Sequence, residues 1–133
     1  MSIVVAYSPD VFGRAALDHG VAEAELRRTR LVVVNATRGD SLVDSHYAHE
    51  DEMQQVLAQL ESAGVEVKVR RDVVPDIAEA VLDVAREEGA TLVVVGVRHR
   101  TPVGKMLLGS VAQRVILDAG CPVLAVKPAA AHG

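Results

Sequence analysis

The sequence predicts an α/β fold, in which a parallel sheet of five strands carries helices on both of its faces. Short apolar runs alternate with longer segments of helical periodicity along the 133 residues, as the β-α-β units of a parallel sheet require. Half of the residues are hydrophobic but only 2% are aromatic, so the core must be built from Val, Leu, Ile and Ala. Such a composition is typical of buried parallel strands. The length suits a single domain over residues 1–133.

Five short segments are predicted to be strands. In chain order they are IVVAY (3–7), LVVVNA (31–36), VEVKVR (65–70), TLVVVG (91–96) and PVLAVK (122–127). The third alternates apolar and charged residues, which places it at an edge, whereas the first and fourth are the most apolar and belong near the centre. Because parallel crossovers are almost always right-handed, the order 3-2-1-4-5 meets these conditions in a Rossmann-like sheet.

Four helices are predicted between these strands, over residues 13–28, 48–63, 76–88 and 109–119. In the last three, apolar residues recur at the spacing of a helix with one buried face. Gly64 and Gly89 supply C-terminal stops, and Gly120 follows the last helix. Asp76 stands where an N-cap is expected.

The bulk composition argues against several classes of protein. A net charge of −4 gives no general attraction to nucleic acid or to a membrane surface. No apolar run approaches the ~20 residues that cross a bilayer, and the segment SIVVAYSPD lacks the basic start and long apolar core of a secretory signal. Cys121 is the only cysteine, so no intrachain disulfide can form. We therefore expect a cytoplasmic protein.

The strand order also predicts where a ligand would bind. In an open parallel sheet, ligands lie beyond the carboxyl ends of the strands, at the point where the winding direction reverses. That point falls between the first and fourth strands. The site would therefore be formed by the loops SPDVFG (8–13) and GVRHRTPVGKMLLGS (96–110).

The second of these loops has the chemistry of an anion site. Gly96 ends its strand without a side chain, so a ligand could lie against the backbone. Gly109 and Ser110 open the last helix, whose free N–H groups and dipole attract negative charge. Basic side chains that could surround a phosphate in the same space are Arg98, His99, Arg100 and Lys105. The loop is neither a Walker A motif nor GxGxxG, and a second interpretation assigns its glycines to turns and its charges to solubility.

The same segment carries a resemblance to a known family. TLVVVGVRHRTPVGKMLLGSVAQRVILDAGCPVLAVKP (91–128) and AEAVLDVAREEGA (78–90) resemble a universal stress protein domain, and the resemblance extends to the first strand and helix. ATP-binding members of that family carry Gly, two residues, Gly, nine residues, Gly and then Ser or Thr. Gly96 fits the first position and Gly109 with Ser110 fits the last pair, whereas His99 stands at the second glycine.

What the resemblance implies is a homodimer, paired through the last strand (122–127), and a site for ATP or AMP. Mapped by position, the nucleotide would contact Ala6, Tyr7, Ser8, Ala36, Val95, Gly96, Arg98, His99, Gly109, Ser110, Val111 and Ala112. Many nucleotide-binding members have an Asp where this chain has Ser8, and the nearest acid is Asp10. This displacement weakens the case for bound magnesium. The imidazole of His99 could still donate a hydrogen bond to a phosphate.

Other candidate residues have plainer explanations. His46 and His49 have the spacing of metal ligands, but no second cluster completes a site, so they are predicted to be solvated. Cys121 stands at the entrance to a strand and is predicted to be a small packing residue. Tyr7 and Phe12 both fall at the first loop, where they would either stack on a base or pack over the end of the sheet.

Three functional hypotheses remain open. The first is a nucleotide-binding regulator of the stress response, which acts as a homodimer and changes state when ATP or AMP binds. The second is a dimeric scaffold of the same family that binds no nucleotide. The third is an enzyme of nucleotide or phosphate chemistry. Since the sequence gives no assignable general base, the protein would be at most a weak ATPase.

Overall fold

Strands and helices alternate along the chain in the computed structural model, which describes residues 1–37, 50–98 and 109–128. The elements of these segments are β1 (Ser2–Ala6), α1 (Val11–Arg27), β2 (Arg30–Thr37), α2 (Glu50–Ser62), β3 (Val67–Val73), α3 (Ile77–Glu87), β4 (Ala90–Gly96), α4 (Ser110–Asp118) and β5 (Val123–Val126). None of the helices in these segments is long and apolar enough to span a bilayer.

The five strands form one parallel sheet in the predicted order, β3-β2-β1-β4-β5. The central strand β1 is paired on both sides, so that Ile3 lies beside Leu31 of β2 and Leu92 of β4. The predicted edge position of the charged third strand is confirmed, since most of β3 is partly or fully exposed. Charged side chains are tolerated there because an edge strand faces water.

Alternate residues of the strands build two separate cores, one on each face of the sheet. Ile3, Val5 and Leu31 pack under α1 and α2, whereas Val4 and Val32 pack under α3 and α4. Both faces are therefore covered by helices, and the prediction of an aliphatic core is confirmed. Right-handed crossovers explain why the helices change face after β3, because the chain then turns back towards β4.

The ends of several elements differ from the predicted ones by a few residues. β3 begins at Val67 rather than at residue 65, because the N–H of Val65 still donates to the carbonyl of Leu60 (3.1 Å) and completes the end of α2. Gly64 makes this turn with a φ of +81°, as a C-terminal stop requires. The predicted N-cap at Asp76 is confirmed by its bond from the N–H of Glu79 (3.2 Å). Residues 48 and 49 of the predicted second helix lie outside the described segments.

A charge cluster fixes the amino-terminal end of the sheet, opposite the carboxyl ends where ligands bind in such folds. The side chain of Glu88, only 6% exposed, accepts hydrogen bonds from Arg30 (2.6 Å), Lys68 (2.7 Å) and Arg70 (3.3 Å). These partners lie on β2 and β3, so the cluster joins both strands to the end of α3. The hydrogen bond from Lys68, together with the nearby positive charges, lowers the pKa of the Glu88 carboxyl.

Candidate functional site

An open cleft of about 200 Å³ lies at the carboxyl ends of β1 and β4, where the winding direction reverses. Eleven of the twelve residues that sequence analysis assigned to a ligand site line this cleft, and the twelfth, His99, lies outside the described segments. The eleven are Ala6, Tyr7, Ser8, Ala36, Val95, Gly96, Arg98, Gly109, Ser110, Val111 and Ala112. The fold thus brings them together, and their contact with a ligand stays a prediction.

The loop after β1 is held in place by backbone and side-chain hydrogen bonds. The buried side chain of Asn35 donates to the carbonyl of Tyr7 (3.1 Å), where the chain leaves the sheet. One carboxylate oxygen of Asp10, Oδ1, then accepts from the N–H of Gly13 and from the hydroxyl of Ser8, both at 2.9 Å. Asp10 is therefore the N-cap of α1, which explains why that helix begins at residue 11 rather than at the predicted 13.

The side chain of Tyr7 turns away from the predicted ligand. Its ring belongs to the core under α1 and α2, it is 5% exposed, and its hydroxyl donates to Glu52 of α2 (3.0 Å). Burial, reinforced by the bond to Glu52, raises the pKa of the Tyr7 hydroxyl to about 12. Of the two expectations for this ring, packing over the sheet end is the one that the structure shows.

Gly96 is required by the packing of the protein against itself. A Cβ atom at this position would lie 2.3 Å from the carbonyl oxygen of Phe12 and 2.7 Å from its carbonyl carbon. The space that the missing side chain leaves is thus occupied by the first turn of α1. Gly96 also lines the cleft, and contact between its backbone and a ligand stays a prediction.

Two charged residues line the cleft in the described part of the chain, Asp10 and Arg98. The exposed guanidinium of Arg98 lies 5.1 Å from the centre of the Phe12 ring, within the range of a cation–π interaction. Arg98 forms no ion pair with a carboxylate of the described residues, and the Oδ1 atom of Asp10 accepts hydrogen bonds at the start of α1. The cleft therefore has at its wall a guanidinium that forms no ion pair with an acid of these segments.

The first turn of α4 presents to the same cleft backbone donors that have no acceptor among the described residues. Gly109 is its N-cap, with a φ of +93°, and no side chain of the described residues caps it. The first intrahelical bond runs from the N–H of Gln113 to the carbonyl of Gly109 (3.0 Å), so the N–H groups of Ser110, Val111 and Ala112 have no acceptor within the helix. By contrast, α1 and α3 each begin at an aspartate that caps them.

An ion cluster joins α4 to the neighbouring helix close to the cleft. Arg114 bonds Glu79 (2.7 Å) and the N-cap Asp76 (3.2 Å) of α3, as well as Asp118 on its own helix (2.7 Å). It thereby sets α4 against the start of α3, where Ile77 contributes to the cleft wall. Each ion pair is exposed and therefore contributes little to the free energy of unfolding, so its main effect is to orient α4 against α3.

Four residues of the cleft were not among those assigned from the sequence: Asp10, Phe12, Gly13 and Ile77. A signal for Ile77 existed, because it follows the predicted N-cap of a helix that begins at the carboxyl edge of the sheet. For Gly13 the signal was a glycine at the start of a predicted helix, a position at which glycine indicates a close approach of the backbone. Its Cβ would lie 2.0 Å from the carbonyl oxygen of Ser8, so a glycine is needed for the loop to fold back onto α1.

The remaining candidates from the sequence that fall on described residues form no second site. Among the described residues, no group of three or more His, Cys, Asp and Glu side chains could hold a metal ion. His46 and His49 lie outside those residues. Cys121 is half-buried, and burial raises the pKa of its thiol, so the reactive thiolate is disfavoured.

Comparison with known proteins gives one consistent family. Residues 1–127 match the model of the universal stress protein family. A universal stress protein of Mycolicibacterium smegmatis is 52% identical over 131 residues, which cover 98% of each chain. A solved universal stress protein of Archaeoglobus fulgidus superposes with a TM-score of 0.78 at 28% identity, over 96% of this chain and 98% of that one. A universal stress protein of the same organism, solved in complex with dAMP, gives a TM-score of 0.68 at 26% identity over the same shares.

The family match, the close relative and the structural superposition agree with one another and with the resemblance seen in the segment 78–128. The chain therefore belongs to the universal stress protein family.

Proposed function

We propose that this protein binds an adenine nucleotide, ATP or AMP, in the cleft between β1 and β4 and acts as a homodimeric regulator of the stress response in the cytoplasm. The observation that carries the proposal is the first turn of α4, whose three leading N–H groups have no acceptor within the helix or among the described side chains and line a cleft that also contains Arg98, which has no ion-pair partner in the same segments. Backbone N–H groups at a helix start, aided by the helix dipole, favour bound phosphate.

The two sides of the cleft suit the two ends of a nucleotide. Ala36, Ile77 and Val95 form an apolar wall that fits the face of a purine ring. Ser110 and the following amides lie at the start of α4, where a phosphate would accept their hydrogen bonds. The relative from Archaeoglobus fulgidus was solved with dAMP, which supports an adenine nucleotide as the ligand class.

The described residues that line the cleft offer few ligands for magnesium. Asp10 is the only acid that lines it in the described segments, and its Oδ1 atom already accepts two hydrogen bonds. A magnesium site is commonly built from one or two carboxylates together with phosphate oxygens and water. We therefore propose that affinity depends on direct contacts between protein and phosphate, and that EDTA changes it little.

Binding, not turnover, is the proposed activity. A general base must lie within hydrogen-bond reach of the attacking water, and the one acid on the described cleft wall is engaged as a helix cap. Any hydrolysis of ATP is therefore expected to be slow, and the bound state itself would carry the signal.

Mass spectrometry of small molecules released from the denatured protein, followed by calorimetric titration with ATP, AMP and adenosine, tests the binding. We expect adenine nucleotide in the released fraction and tighter binding of the nucleotides than of adenosine, because the phosphate sites are empty with adenosine. Absence of released nucleotide, together with absence of heat in every titration, would favour the scaffold function instead.

The proposed dimer is formed through the free edge of β5. The other edge strand, β3, carries Lys68, Arg70 and Arg71, which discourage pairing with a second chain. In contrast, β5 (VLAV) carries no charge, and no described strand pairs with the side that faces away from β4, so we propose that a second copy pairs there.

One substitution in β5 is expected to disrupt the proposed dimer interface without unfolding the protein. The carbonyls of Pro122 and Val126 accept hydrogen bonds from the N–H groups of Val93 and Val97, on the side of β5 that faces β4. Because the backbone groups of successive residues point to alternate sides of a strand, the N–H of Ala125 points to the opposite side, the outer edge of the sheet. Ala125→Pro removes that donor while leaving the bonds to β4 intact. We expect a monomer by analytical ultracentrifugation, whereas Ala125→Val, which keeps the N–H, stays dimeric. A dimer that survives Ala125→Pro would place the interface elsewhere.

A further inference from the structure

The ring of Phe12 and the guanidinium of Arg98 face each other at the rim of the cleft, 5.1 Å apart. We propose that Phe12 is a positioning residue, whose ring holds Arg98 in the orientation that binds the phosphate of the ligand. The inference rests on the proposed nucleotide binding. It assigns to this pair of side chains the preference of the site for ligands that carry phosphate.

Phe12 is well suited to hold another side chain because its own position is fixed. Its carbonyl is pressed against Gly96, where even a methyl group would not fit. The turn that contains it is capped by Asp10 through the N–H of Gly13 (2.9 Å). The ring thus stands on a turn that is locked to the end of β4.

Arg98 depends on this ring because little else in the described segments restrains it. The residue follows the end of β4 by two positions, its side chain is exposed, and it has no carboxylate partner among these residues. A long free side chain loses rotamer entropy when it binds a phosphate, whereas one that already lies on an aromatic face loses less. An exposed cation–π pair then corresponds to about a two- to fivefold gain in affinity.

A competing role for Phe12 is direct stacking on the base. The two roles differ in what they depend on, because stacking acts without Arg98 and acts on adenosine as well as on nucleotides. Positioning acts only through Arg98 and only on ligands that carry phosphate.

A double-mutant cycle distinguishes them. Phe12→Leu keeps the apolar bulk and removes the aromatic face, and Arg98→Gln removes the charge. We expect Phe12→Leu to weaken AMP and ATP binding about two- to fivefold by calorimetry, with adenosine affinity unchanged. In the Arg98→Gln background the same change should have no effect, while Phe12→Tyr, which retains the ring, should bind as the wild type does.

Four results would overturn the inference. Equal loss of affinity for adenosine and AMP would assign Phe12 to the base, and equal loss with and without Arg98 would show that no coupling exists. If Phe12→Leu misfolds, Arg98→Lys provides the test, because it keeps the positive charge but not the planar guanidinium. We expect affinity for AMP to fall and affinity for adenosine to stay the same. An unchanged affinity for AMP would contradict the proposal. Failure of the wild type to bind any nucleotide would overturn the proposed function as well, whereas wild-type binding without coupling would overturn only the role of Phe12.

Discussion

Placing a negative charge at the start of α4 should move the stability of the protein and its affinity for nucleotide in opposite directions. Ser110 is the first residue of that helix, it is exposed, and no described side chain caps the turn. In Ser110→Glu the new carboxylate would interact with the same N–H groups and helix dipole that are proposed to bind phosphate. An acid at this position stabilises a helix by about 0.3 to 1 kcal/mol.

The same carboxylate should repel the ligand. At about 5 Å from a phosphate charge, with an effective dielectric constant between that of water and ~20, the repulsion is about 1 to 3 kcal/mol for each unit of charge. For one unit of phosphate charge, affinity should therefore fall roughly 5- to 150-fold, so this is the smallest loss expected for AMP, and affinity for adenosine should hardly change. Ser110→Gln, which has the same shape without the charge, is the matched control.

Calorimetric titration and urea unfolding of the ligand-free protein give the two readouts. We expect Ser110→Glu to unfold at a slightly higher urea concentration than Ser110→Gln while binding AMP much more weakly. An unchanged affinity for AMP would refute the placement of phosphate at α4. A loss of affinity accompanied by a loss of stability would show that the substitution had damaged the helix, and the reasoning from the helix dipole would be wrong.

Three further predictions concern the scaffold. Gly96→Ala should lower the free energy of unfolding by about 1 to 3 kcal/mol, because its Cβ would lie 2.3 Å from the backbone of Phe12, whereas Gly120→Ala, which meets no atom within 4 Å, should be neutral in urea unfolding. Arg28 occupies the left-handed region (φ +53°) at the end of α1, so Arg28→Gly should raise the free energy of unfolding by about 0.5 to 1 kcal/mol, and a decrease would contradict the strain. The lowered pKa of Glu88 means that its contribution to stability is complete above its ordinary pKa of 4.5 and is lost as the pH falls through the folded-state value. Glu88→Gln should therefore destabilise the protein at pH 7 and flatten the decline in urea midpoint below pH 4.5, and parallel profiles for the two proteins would exclude this role.

The fold was predictable because its determinants are local. Runs such as TLVVVG are too apolar to lie anywhere but in the middle of a sheet, and the alternation in VEVKVR fits only an edge. The order 3-2-1-4-5 meets these conditions together with the handedness of crossovers, and that order places the cleft at β1 and β4. The sequence by itself thus determined the sheet, its aliphatic core and the position of the candidate site.

Contacts between distant parts of the chain were decided only by the tertiary structure. Periodicity cannot show that Gly96 exists to admit the backbone of Phe12, or that the Phe12 ring meets Arg98, because 84 or more residues separate the partners. Nor does it show that Tyr7 turns under α2 to reach Glu52, so that one of the two aromatic rings of the first loop is withdrawn from the ligand. Hydrophobic patterns report which face of an element is buried, whereas the chemistry of the cleft depends on which side chains of separate elements come within a few ångströms of each other.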